Sequence, residues 1–214
     1  MDFLSTLHAQ LTDFRPLIAS LTICATAVMA ASAAIQAVRH DFDLFGAIAL
    51  AVVTAVGGGT LRDLLIGRTP VFWMTDMTYL ATAAPVGFAF FFIARQLRSG
   101  GGNRLRLLLY LDAIGLSLFT LVGASVALAA DTHPIIAIIL GCVTGVAGGV
   151  IRDVLCGIQP SILKEDFTAT ISLAGGAVYV LVRDLIDDRT SMAGVFTVMT
   201  ILRCAVVRMR ERGT

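Results

Sequence analysis

Apolar positions come in seven long runs separated by short polar turns, and each run approaches the length of a bilayer-crossing helix, about 20 residues. The predicted spans are roughly 16–38, 44–66, 77–97, 105–129, 134–156, 167–182 and 190–207. A short polar lead carries Asp2, Asp13 and Arg15. Within the first run, Ala31-Ser32-Ala33 has the small-residue pattern of a signal-peptidase site. The lead is net acidic, however, and the run is long enough to span, so it is expected to stay as the first helix. Trp73 and Tyr79, after the second run, suit the membrane interface, and Phe88, Phe90, Phe91 and Phe92 suit a lipid-facing or packing surface.

Pairing the runs reveals a duplication. Between positions 54 and 70, nine of seventeen residues recur 90 positions later without a gap. They are Thr54/Thr144, Val56/Val146, Gly58/Gly148, Gly59/Gly149, Arg62/Arg152, Asp63/Asp153, Leu65/Leu155, Gly67/Gly157 and Pro70/Pro160. Such a match is an internal repeat. Each copy holds three spans, an odd number, so the second enters the bilayer upside down relative to the first. The expected fold is an all-α integral membrane protein of seven transmembrane helices. Residues 16–98 form one three-helix repeat, 105–183 its inverted copy, and 190–208 a seventh helix without a partner. Ser99-Gly100-Gly101-Gly102-Asn103 reads as a flexible linker between the copies.

Composition agrees. The chain is 57% hydrophobic with a mean hydropathy of +0.87, and its 14% charged residues fall well below the roughly 25% of a soluble domain. Net charge is +1, and nothing resembles a nucleic-acid-binding surface. Cys24, Cys142, Cys156 and Cys204 stand apart, without the spacing of a metal site or disulfide framework, and His8, His40 and His133 fall in flanking or loop segments. No metal and no cofactor is expected. Alternating the loops puts Arg39, Arg95, Arg98, Arg104, Arg106, Lys164, Arg208, Arg210 and Arg212 on one side, against Arg15, Arg68, Arg183 and Arg189. Positive residues favour the cytoplasm, so the N-terminus is expected outside and the C-terminus inside.

The candidate chemistry sits in the duplicated motif. Gly57, Gly58 and Gly59, and later Gly148 and Gly149, give up helix propensity at about 1 kcal/mol each relative to alanine. They either let neighbouring helices approach closely or let the helix kink and turn its carbonyls toward a water-filled path. Arg62-Asp63 and Arg152-Asp153 follow within or at the edge of the span, where ionisable side chains usually face a bundle interior or a cavity. They either pair across the repeats, Arg62 with Asp153 and Arg152 with Asp63, or cap their helices at headgroup level, with Gly67 and Pro70 marking the exit. Asp112 breaks the symmetry, since its repeat partner is Thr22. It either draws cations to the cytoplasmic mouth or hydrogen-bonds a neighbouring helix terminus.

The run Gly57-Gly58-Gly59-Thr60-Leu61-Arg62-Asp63-Leu64-Leu65-Ile66-Gly67-Arg68-Thr69-Pro70-Val71-Phe72-Trp73 resembles the bacterial branch of the trimeric intracellular cation (TRIC) channel family. Leu111-Asp112-Ala113-Ile114-Gly115 and Gly148-Gly149-Val150-Ile151-Arg152-Asp153-Val154-Leu155 are similar to its second-half signatures, with Ala147 where a third glycine often stands. The resemblance implies a homotrimer in the bacterial inner membrane. Each protomer would hold its own path for K⁺, and less selectively Na⁺, between glycine-broken second and fifth helices. Gly57, Gly58, Gly59, Gly148 and Gly149 would line that path, with Arg62, Asp63, Arg152 and Asp153 nearby, and Asp112 is counted with them as a candidate on its own two readings. The basic lipid-binding motif of the animal branch is missing, so phosphoinositide regulation is not implied.

Three other functions compete. Inverted repeats and broken helices also build secondary transporters, here for a small solute such as glycine. Intramembrane charges argue against a mere scaffold. No HExxH, GxSxG or Cys/His nucleophile arrangement suggests an enzyme.

Overall fold

A computed structural model describes residues 2–97, 102–163 and 167–213. The predicted 99–103 linker and two basic positions of the side count, Arg98 and Lys164, lie wholly or largely outside the described residues. The helices are α1 (Asp2–Arg39), α2 (Leu44–Leu65), α3 (Phe72–Thr75), α4 (Thr78–Gln96), α5 (Asn103–Ala129), α6 (Pro134–Leu155), α7 (Thr168–Val182) and α8 (Asp188–Gly213). A 3₁₀ turn, Ser161–Leu163, precedes α7. Six helices are long and apolar enough to cross a membrane, and α7, apolar but only 15 residues long, reaches about 22 Å. The protein is thus an all-α membrane protein whose seven apolar helices fall where the hydropathy pattern puts them. The polar lead is helical and continuous with α1, and α8 extends beyond its apolar span, which ends at Met209.

The duplication governs how helices begin and end. Asp43 caps α2 by accepting from the Gly46 N–H at 2.7 Å, and at its repeat position His133 Nδ1 accepts from the Ile135 N–H at 3.3 Å to cap α6. At the far ends, Gly67 and Gly157 take the left-handed conformation with φ of 70° and 69°. The Arg68 N–H reaches the Asp63 carbonyl at 2.8 Å and the Gly67 N–H the Leu64 carbonyl at 3.1 Å. Ile158 to Asp153 and Gly157 to Val154 repeat this Schellman closure, both at 3.0 Å.

The first half packs α1 against α2 and α4, and the second packs α5 against α6 and α7. Contacts between α1 and α5 and between α2 and α6 join the halves, and α8 lies against α5 and α7. The main core is built from small residues, Ala25, Ala30, Ala33, Ala47, Ala51, Ala55, Ala83 and Ala94, which lets helix axes approach closely. Large apolar side chains such as Phe45, Phe88, Phe92, Ile135, Leu181 and Ile201 point outward, as a lipid-bathed surface allows.

Candidate functional site

In the first half, Arg62 and Asp63 sit in the last turn of α2 and are 2% and 0% exposed. Arg62 folds back on its own neighbour: Nε and Nη2 donate to Asp63 Oδ1 at 2.9 and 2.7 Å. Asp63 Oδ2 accepts from the Phe72 N–H at 2.9 Å, tying the loop and α3 to the end of α2. The Phe72 ring lies under the guanidinium at 5.6 Å, and its edge meets Tyr79. Trp73 Nε1 donates to Thr60 Oγ1 at 2.9 Å. This half is a closed plug of one ion pair and stacked aromatics. Tyr79 is buried within it.

The second half begins alike. Arg152, 1% exposed, donates through Nε and Nη2 to Asp153 Oδ1 at 2.9 and 2.8 Å. It then reaches further. Nη1 and Nη2 grip Asp112 of α5 at 2.5 and 2.9 Å, and Nη1 also donates to Ser32 Oγ of α1 at 2.6 Å. Ser32 Oγ in turn donates to Asp112 Oδ1 at 2.8 Å. One guanidinium thus joins three helices and is shared by two carboxylates, in the forked geometry that favours arginine. The repeat offers no such partners to Arg62, because Thr22 and Val122 stand at the positions equivalent to Asp112 and Ser32. Thr22 is turned to its own helix, donating to the Ile18 carbonyl at 2.6 Å.

Of the two roles open to the glycines, close approach describes most of them. Both α2 and α6 run unbroken through their motifs, so the expected helix break is absent. A Cβ on Gly58 would strike the Thr144 carbonyl oxygen, and one on Gly148 would lie 2.6 Å from the Thr54 carbonyl oxygen. The two helices therefore cross backbone to backbone at equivalent points. Gly57 and Gly59 are filled just as tightly, by Ile151 Cδ1 at 2.7 Å and Phe72 Cε1 at 2.6 Å. Gly149 differs, since a Cβ there would meet nothing nearer than Arg152 Nη2 at 3.8 Å.

Gly149 is open because it borders a narrow cleft. Asp112 and Leu116 of α5, Gly145 and Gly149 of α6, Thr168 of α7 and Arg203 of α8 line it, with Met29 of α1. Its free volume, about 20 Å³, holds about one water molecule. The Asp112 side chain is 15% exposed, against 3% or less for Arg62, Asp63, Arg152 and Asp153, so it is the network's one accessible edge. Arg203, 3% exposed, donates through Nη1 to Thr168 Oγ1 at 2.8 Å.

The structure therefore brings Arg152, Asp153 and Asp112 into one network tied to the first half through Ser32, and each arginine pairs with the aspartate of its own motif, Arg62 with Asp63 and Arg152 with Asp153. Both Arg-Asp pairs are buried within the protein, in the last turns of α2 and α6. Asp112 meets a side chain of a neighbouring helix near its end, one of the two roles open to it. Ser32, Thr168 and Arg203 were not visible as candidates. The available signal was an arginine inside the apolar run 190–207, where a charge calls for a functional reason. Among the described residues, no cluster of His, Cys, Asp or Glu has the arrangement of a metal site.

Comparison with known proteins places these features in a family. A family model described as a glycine transporter matches residues 19–95 and again 109–184, two matches that begin one repeat length apart. The inner membrane protein YadS of Escherichia coli K12 is 39% identical over 193 residues, spanning 88% of this chain and 90% of YadS. The membrane protein YvgT of Bacillus subtilis is 35% identical over 159 residues, 74% of this chain and 77% of that protein. Among solved structures, the TRIC trimeric intracellular cation channel orthologue from Rhodobacter sphaeroides superposes with a TM-score of 0.84 at 36% identity, covering 89% of this chain and 97% of that one. A prokaryotic TRIC channel crystallised in 0.5 M KCl gives 0.86 at 26% identity, covering 92% and 98%.

Proposed function

Since the chain belongs to the bacterial branch of the TRIC channel family, we propose that it is a cation channel, a homotrimer whose protomers each conduct K⁺ and also Na⁺. It would lie in the bacterial inner membrane, as the YadS description suggests, with the N-terminus outside and the C-terminus in the cytoplasm. The halves 16–98 and 105–183 supply the ion path, and 190–208 is an addition to the second. Asp112, Arg152 and Asp153 then stand at the cytoplasmic end of that path, Arg62 and Asp63 at the outer end. Gly57, Gly58, Gly59 and Gly148 set the helix crossing that bounds it, and Gly149 faces it.

One observation carries this reading: two carboxylates share one guanidinium, and the exposed edge of the second, Asp112, opens on a cleft beside Gly145 and Gly149. In so poorly solvated a place the Asp112 carboxylate attracts a nearby cation far more strongly than in water, opposed by Arg203 on the same cleft. A cation shedding its hydration shell also needs oxygen ligands, and the Asp112 carboxylate and Thr168 hydroxyl are at hand.

Transport of a zwitterion such as glycine has one observation in its favour. Asp112 lines the same cleft as Arg203 and Thr168, a pairing of charges that suits an ammonium at one end and a carboxylate at the other. The narrowness of the cleft, about 20 Å³, favours a small ion over a solute of five heavy atoms. Purified protein in planar bilayers tests the choice: unitary ohmic steps in KCl support a channel. Glycine uptake into proteoliposomes that saturates, without unitary current, overturns it.

A further inference from the structure

The helix without a repeat partner puts a charge where the other charges predict none. Arg203 of α8 is 3% exposed, lies inside the span Asp188–Met209, and lines the cleft that Asp112 borders. A buried intramembrane arginine costs several kcal/mol, and such residues usually face a bundle interior or a water-filled cavity. Its bond from Nη1 to Thr168 Oγ1 holds it against the first residue of α7. The N-terminal end of a helix carries a partial positive charge of its own. Thr168 also lines the cleft, so the guanidinium and the end of α7 present positive potential to the space that the Asp112 carboxylate makes negative.

We propose that Arg203 is a rate- and selectivity-setting residue of the ion path, a fixed positive charge that limits how strongly Asp112 holds a cation. The inference rests on the channel reading above. A cation bound too tightly at Asp112 would block the path, and conduction needs binding weak enough for the ion to leave. Arg203 and Asp112 belong to different helices, α8 and α5, which pack together, so the balance is set in the fold itself. The first half has no eighth-helix equivalent, and its Arg62–Asp63 pair is closed by Phe72.

The test compares single-channel currents of the parent, Arg203→Gln and Arg203→Lys in KCl. Expected is a K⁺ conductance altered about twofold or more by Arg203→Gln, with a higher K⁺ over Cl⁻ preference that persists in concentrated KCl, since salt screens a buried charge little. Arg203→Lys, which keeps the charge, should stay nearer the parent. Should Arg203→Gln fail to assemble, the Asp112→Asn/Arg203→Gln pair replaces it. Its K⁺ over Cl⁻ preference should then exceed that of Asp112→Asn alone. Parental currents in every Arg203 variant, with only thermal stability lowered, would make Arg203 a structural clamp and overturn the inference while leaving the channel intact. A parent without unitary currents would remove the channel reading and this inference with it.

Discussion

Arg152 grips both carboxylate oxygens of Asp112, forty positions earlier on a different helix, with its own two terminal nitrogens. Its repeat twin Arg62 has no such partner at the matching position, which Thr22 occupies. A duplicated motif has thus been put to two uses. The first copy closes on itself under Phe72, and the second copy spreads across α1, α5 and α6 to border a cleft.

This asymmetry predicts unequal costs for equal substitutions. Arg152→Gln leaves Asp112 and Asp153 without their shared cation, whereas Arg62→Gln strands only Asp63, which keeps its bond from the Phe72 N–H. Removing one partner of a buried ion pair costs about 3 kcal/mol or more. Thermal melts in detergent should show Arg152→Gln as the more damaging change. Equal melting temperatures would contradict the distinction between the halves.

Glycines of one motif should behave in two ways. At Gly58 an added Cβ collides with the Thr144 carbonyl and must push α2 from α6, so Gly58→Ala should destabilise by about 2 kcal/mol, the usual cost of overpacking. Gly149→Ala meets no such obstacle, so it should fold like the parent and narrow the cleft, lowering conductance. Matching stability losses at the two sites would refute this division.

Gly67 and Gly157 make a separate case. Each closes its helix at positive φ with open space around it, so alanine there meets backbone strain alone, about 1 kcal/mol. Melting temperatures of Gly67→Ala and Gly157→Ala should fall slightly and by similar amounts, with conductance unchanged. A large or one-sided loss would mean that these turns also carry tertiary contacts.

Ser32 offers a gentler probe of the network. Ser32→Ala removes an acceptor from Arg152 Nη1 and a donor to Asp112 while leaving the fork between them. Hydrogen bonds to charged groups are worth about 1.5–3 kcal/mol, so a measurable drop in melting temperature is expected. Unchanged stability would mean the fork alone holds the charges.

What the sequence disclosed follows from what local chemistry controls. The helices were legible because apolar runs are bounded by residues with one local job, such as Asp43 at a cap and Gly67 at a left-handed turn. Repetition made the two-half plan readable as well. The partners of Arg152 were hidden, since Ser32 and Asp112 lie 120 and 40 positions away and only packing brings them together. The glycines left two roles open because a helix crossing and a helix break ask for the same residue, and what separates them is the neighbouring helix: Thr144 against Gly58, Thr54 against Gly148. Arg203 stood in plain view within an apolar run, yet its meaning depends on Thr168 and Asp112 across the cleft.

The most direct test is the reversal potential of the purified protein under a KCl gradient, measured for the parent and for Asp112→Asn. A channel drawing cations through the Asp112 cleft should show unitary currents reversing near the K⁺ equilibrium potential, and the asparagine variant should shift that reversal toward the Cl⁻ potential. Identical reversal potentials in the two proteins, or no unitary current in the parent, would contradict the account.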